Sequence, residues 1–112
     1  MQIIITTQYR ENYGAHDWNG EGECPQYWKN KGGDQYVLTG VKVTDNFEEL
    51  VKAAMRQHEL SYSNNYSEQF VLDWEITEDG VLTADEKQQL EWDGEIKYPS
   101  KRFPTNNLLQ TA

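Results

Sequence analysis

QYVLTGVKVTDNFEELVKAAMRQHEL (residues 35–60) changes periodicity halfway along, and that change sets the fold class. Its first nine residues are β-branched and aromatic and read as a strand over 35–43. Gly40 inside that run implies a bulge or the close approach of another element. Asp45 then offers an N-cap, and Glu48, three residues later, the reciprocal half of a capping box. Phe47, Leu50, Val51, Ala54 and His58 recur at helical spacing with Met55 beside them, which predicts a helix over 46–60. A helix with one apolar stripe needs a sheet face to cover it, so a strand followed at once by such a helix points to α+β.

Outward from this unit, Gly32-Gly33-Asp34 is a turn signal, and residues 2–9, QIIITTQY, read as a central or half-buried strand. Downstream, Ser61–Ser67 reads as a polar loop. Residues 69–77, QFVLDWEIT, alternate, with Phe70, Leu72, Trp74 and Ile76 expected on one face. Glu78-Asp79-Gly80 turns the chain, and Thr83 with Glu86 forms a second capping box that opens a short helix over 83–92. Ile96–Tyr98 reads as a short edge strand. The expected architecture is an antiparallel sheet of three to five strands with the 46–60 helix on one face. Residues 1–98 form one domain in this reading, and residues 99–112, with two prolines and little periodicity, form a tail that docks in part or frays.

Of 112 residues, 19 are acidic and 10 basic, for a net charge of -9. The imbalance is local: residues 45–112 carry 14 of the acids, and Lys87 is the sole base between Glu68 and Glu95. Such a surface repels phosphate and disfavours direct nucleic-acid binding by that half, while it attracts a basic protein. One cysteine allows no internal disulfide, which suits a reducing cytoplasm. No apolar run approaches the ~20 residues that span a bilayer, and the start lacks the features of a secretory signal, so no membrane association is expected.

Residues 6–33, TTQYRENYGAHDWNGEGECPQYWKNKGG, concentrate rings, glycines and titratable groups without a regular period. They read as a long ordered loop with a short strand within 26–31. His16, Asp17 and Cys24 are the residues here that could build a nucleophile site, since Cys and His partners meet in space rather than in sequence. Their spacing matches no zinc motif. Packing of the loop by its rings, with Cys24 as a small hydrophobe, is the plainer account. Trp18, Tyr27 and Trp28 suit the anchors of a protein contact. Residues 75–86 place Glu75, Thr77, Asp79 and Glu86 at calcium-loop spacing around Gly80, although a strand-like segment precedes them where an EF-hand needs a helix. His58, at the end of the helix, sits where the macrodipole favours a protonated ring, and a histidine at the edge of the core with one nitrogen satisfied is the plainer account. No phosphate-binding glycine loop or nucleophile elbow occurs, and no cofactor is expected.

TTQYRENYGAHDW followed by GECPQYWKNKGG resembles a block in small proteins of tailed bacteriophages, and QFVLDWEITED resembles their second shared stretch. Together these stretches span about a third of the chain. The group brings no activity and no catalytic residues; the resemblance implies an accessory phage product acting in bacterial cytoplasm. The resulting expectation is a binding protein that inhibits or redirects a host protein with a basic surface, for instance a nucleic-acid-handling defence or replication enzyme. Asp73, Glu75, Glu78, Asp79, Asp85, Glu86, Glu91 and Asp93 would mimic the charge of nucleic acid, beside the ring-rich loop as anchor. The alternative is a small hydrolase or transferase with its site at His16, Asp17 and Cys24.

Overall fold

A computed structural model describes residues 1–44 and 46–107. The elements follow in the order β1 (Gln2–Asn12), a 3-10 turn (Tyr13–Ala15), β2 (Trp28–Asn30), β3 (Gln35–Thr39), α1 (Phe47–Gln57), β4 (Tyr62–Ser63), β5 (Ser67–Thr77), α2 (Ala84–Asp93), β6 (Lys101–Pro104) and a second 3-10 turn (Thr105–Asn107). The class is α+β, with one mixed sheet ordered β4-β5-β1-β3-β6 and β2 paired to the far end of β1. The expected antiparallel sheet of three to five strands is corrected at two points: it has six strands, and β6 runs parallel to β3. That strand comes from the segment after Pro99 that reads as a tail, whereas Ile96–Tyr98 forms no strand.

β1 is the spine. Ile3, Ile4 and Ile5 are consecutive and all buried, which in a strand requires cover on both faces. On one face Ile3, Ile5 and Leu38 pack under Leu50, Val51, Ala53 and Ala54 of α1. On the other, the Gln2 side chain donates to the Val81 carbonyl at 2.7 Å, and the Asp85 amide donates to Gln35 Oε1 at 3.0 Å, so the 81–86 segment lies across Ile4 and Val37. Asp45 lies outside the described residues. The N-cap of α1 is Asn46, whose side chain accepts from the Glu49 amide, so the helix begins at Phe47. Thr83 and Glu86 form the expected capping box of α2.

Three local departures have clear causes. β3 stops at Thr39 because Gly40 takes φ +72°, ending the strand rather than bulging within it, and the close approach expected at Gly40 is made by Thr105, whose hydroxyl donates to the Gly40 carbonyl at 2.9 Å. β1 continues to Asn12, three residues past the strand expected over 2–9, because its far end pairs with β2 and β5. β5 carries a bulge: Thr6 faces Asp73 while Thr7 faces Val71, leaving Leu72 unpaired. One extra residue reverses every side chain beyond it. Val71 and Trp74 therefore pack on the α1 core, while Phe70 and Leu72 are turned out, and the alternation expected over 69–77 fails at that point.

Gly33 lies where the chain crosses from β2 to β3 against β1. A Cβ there would overlap the Thr7 carbonyl oxygen and sit 2.7 Å from its carbon. The neighbour is backbone inside a ladder, with the Thr7 amide donating to Asp34 at 3.0 Å and the Tyr9 amide to Gly32 at 2.7 Å. Gly33→Ala is expected to push this crossing off β1. Amide exchange at Thr7 and Tyr9 should accelerate well before that at Leu38; unchanged exchange would show that the crossing absorbs a methyl group.

Candidate functional site

The ring-rich block is built on Asn12. Its side chain is fully buried and makes every bond an amide can make. Oδ1 accepts from the amides of Gly14 (3.0 Å) and Tyr27 (2.8 Å); Nδ2 donates to the carbonyls of Pro25 and Asn65, each at 2.9 Å. The Asn12 amide itself donates to the Tyr66 carbonyl. One residue thus ties the 13–27 loop to the 64–66 loop. Gly14 completes the tie, since a Cβ there would lie 2.5 Å from the Pro25 oxygen.

Around this tie the rings interleave with cations. Lys29 stands over Tyr13 and Tyr27 at 5.4 and 5.2 Å, and Lys31 over Tyr13 at 5.1 Å. The Tyr13 hydroxyl accepts from the Lys31 ammonium and raises its pKa above the ordinary 10.5. Arg10 lies over Trp28 at 5.4 Å and pairs with Glu68. Alternation along β1 and β2 puts these two groups on opposite faces of the sheet. Of the three expected anchors, Tyr27 is exposed and Trp28 is half-covered by Arg10. Trp18 packs on Tyr66 and donates its indole N–H to the Glu21 carbonyl.

His16, Asp17 and Cys24 do not converge. His16 Nε2 bonds Glu11 Oε1 at 3.1 Å, and its ring meets Tyr13 edge-on. Cys24 Sγ faces the Pro25 and Asn65 carbonyls and the Asn12 amide. Asp17 is exposed. Among the described residues no hydrogen bond joins His16 to Cys24.

The calcium ring is not assembled either. Glu75 and Thr77 belong to β5, and the Glu86 carboxylate is held by its own capping box and by Arg102. Among the described residues no group of three or more His, Cys, Asp or Glu side chains converges. His58 caps α1 and stacks on Phe103 with centroids 3.8 Å apart. Burial lowers its pKa.

Of the eight candidate acids, Asp73, Glu75, Glu78, Asp79, Glu91 and Asp93 are exposed. Glu86 is removed from the set: it is 2 % exposed and paired in the interior. Asp85 is half-buried at a cleft of about 470 Å³; burial, then the charges of Asp34 and Glu86, raises its pKa. Asp73 and Glu75 face Thr6 and Ile4, whereas the ring–cation contacts begin at Arg10, so the two are separated by roughly 13–20 Å along β1. The expected juxtaposition of acids and loop anchors is therefore corrected.

Rings do accompany acids elsewhere. In the arm formed by α2 and its return, Trp92 is 74 % and Tyr98 80 % exposed, in the same segment as the exposed Glu91, Asp93 and Glu95. Gln89 clamps it, donating to the Tyr98 carbonyl and accepting from the amides of Lys97 and Tyr98. Gly94, at φ +74°, closes the helix. The signal was present in the sequence: Leu90 and Trp92 lie about 200° apart around a helix, so they form no single apolar stripe, and both are exposed.

No protein-family model, no curated protein and no solved structure matches the chain. No described helix is long and apolar enough to cross a membrane.

Proposed function

We propose that this chain is a non-enzymatic binding protein of tailed-phage type whose acidic surface engages the basic surface of a host protein in the bacterial cytoplasm. A host enzyme that handles nucleic acid fits, because such enzymes present basic grooves to phosphate. The observation that supports this reading is the acidic arm, where an exposed tryptophan and an exposed tyrosine lie in the same segment as Glu91, Asp93 and Glu95. Tryptophan and tyrosine carry much of the energy in protein contacts, and surrounding acids steer a basic partner and reject other acidic proteins.

The test is capture from bacterial lysate at low and moderate salt with three proteins: the native chain, a triple variant Glu91→Lys, Asp93→Lys, Glu95→Lys, and Trp92→Ala. All four positions are exposed, so stability should change by no more than about 0.5 kcal/mol. A stoichiometric partner should be lost on raising the salt and from both variants. A partner retained by the charge-reversed arm at both salts would refute the reading.

A further inference from the structure

β5 has an open edge. β4 pairs only with Glu68 and Gln69, and among the described residues nothing pairs the outer side of Asp73–Thr77. Which backbone groups point outward follows from β1. The Thr7 and Tyr9 amides donate toward Asp34 and Gly32, and the Asn12 amide donates the other way, to Tyr66. Amides of even-numbered β1 residues therefore face β5. Through the register, Asp73, Glu75 and Thr77 exchange bonds with Thr6, Ile4 and Gln2, and the amides and carbonyls of Trp74 and Ile76 face outward. At Trp74 the N–H is covered by Asp73 Oδ1 at 2.8 Å, a local cap that an incoming carbonyl can displace.

The two sides of this edge differ. On the α1 side a groove of about 330 Å³ is lined by Val51, Met55, Val71, Leu72 and Trp74, with Asp73, at the edge itself, also in the lining; Leu72 is 56 % exposed, and Ile76, on the same face through its pairing with Ile3, is 41 % exposed. On the opposite side Asp73 and Glu75 stand exposed, with Glu78 and Asp79 following. Lys52, the base at the groove, is engaged by Glu48 at 3.2 Å. A second copy is a poor occupant, because antiparallel self-pairing sets these acids against their own copies, and like charges opposite each other destabilise a ladder.

We propose that the outer edge of β5 accepts an extended strand from a basic partner, antiparallel, with apolar side chains in the α1 groove alternating with lysines or arginines over Asp73 and Glu75. This rests on the reading that the partner is basic and adds the mode of contact: main-chain bonds supply affinity and alternate side chains supply specificity. The Leu72 bulge limits the paired length to about five residues. Displaced from the Trp74 amide, the Asp73 carboxylate is free to meet a partner cation.

The probe is a capped hexapeptide alternating lysine with isoleucine. Isoleucines opposite Trp74 and Ile76 turn their amides toward β5; lysines opposite Asp73 and Glu75 turn theirs away. N-methylation of the isoleucines should weaken binding about tenfold or more, and N-methylation of the lysines should change it by less than about threefold. The unmodified peptide should slow amide exchange at Trp74 and Ile76. Ile76→Pro, which removes an outward N–H and leaves the β1 bonds, should abolish that binding. Equal binding of the two N-methylated peptides, or no binding of the unmodified peptide at low salt, overturns the proposal. The arm is judged separately: lysate capture that survives reversal of Glu91, Asp93 and Glu95 refutes the arm and leaves a positive peptide result standing.

Discussion

Replacing Asn12 with alanine is expected to cost on the order of 4 kcal/mol of unfolding free energy. The side chain is 0 % exposed, and its removal orphans the Gly14 and Tyr27 amides and the Pro25 and Asn65 carbonyls together. Each buried group left unpaired costs about 1–3 kcal/mol, partly recovered where water enters. The loss is a large share of the roughly 5–15 kcal/mol that holds a domain of this size. Denaturant titration measures it. Amide exchange should show 13–27 and 64–66 loosening while Leu38 and Ala54 stay protected. A loss under about 1 kcal/mol would mean that water replaces the amide and that the loops are held by their rings.

Arg102→Ala is the second large effect, expected at about 3 kcal/mol at neutral pH. Glu86 is buried, and Arg102 grips it with two bonds, Nη1 to Oε2 at 3.1 Å and Nη2 to Oε1 at 3.0 Å. Burial pushes the Glu86 pKa up. Hydrogen bonds from Arg102, the Thr83 amide and the Ser100 amide, with the Arg102 charge, outweigh it, and the net value lies below the ordinary 4.5. A carboxyl depressed on folding contributes stability that is present above 4.5 and is lost as pH falls through the depressed folded value. Without Arg102 the burial effect dominates and the folded pKa rises, so the sign reverses. The variant should regain part of its lost stability as pH falls from 7 toward 5, where the native protein should not gain from this group. Parallel stability profiles for the two proteins would show that the pair contributes nothing specific.

How far these features could be read from the chain varies in instructive ways. α1 and α2 were legible to within a few residues because their signals are local: caps, stripes and a reciprocal capping box. The Leu72 bulge was not. FVLDWEI alternates whether or not a residue is skipped, and only the pairing with Thr6 and Thr7 fixes where the skip falls. β6 was hidden for a similar reason. KRFP has one apolar residue that packs, Phe103, and its strand conformation comes from the parallel partner β3 rather than from local preference. In the binding surfaces, the acids of β5 and the arm were legible from composition, but Glu86 was not separable from them, because its partner lies 16 residues away. Asn12 gave no signal at all. One asparagine in a polar stretch has the same local preferences whether it is exposed or fully buried.

The parallel strand also has a consequence for the order of assembly. Thr105 reaches Gly40 across 65 residues, and the ladder that β6 joins does not exist until β3 has docked on β1. Closing so long a loop before any contact rewards it is entropically unfavourable, so β6 should arrive late on the path to the native state. Until it arrives, Arg102 is not beside Glu86, and α2 must settle over the sheet with an unneutralised carboxylate at its base. Protonating that carboxylate should then ease the settling of α2 but remove the charge that draws Arg102 in, so acid should slow the arrival of β6.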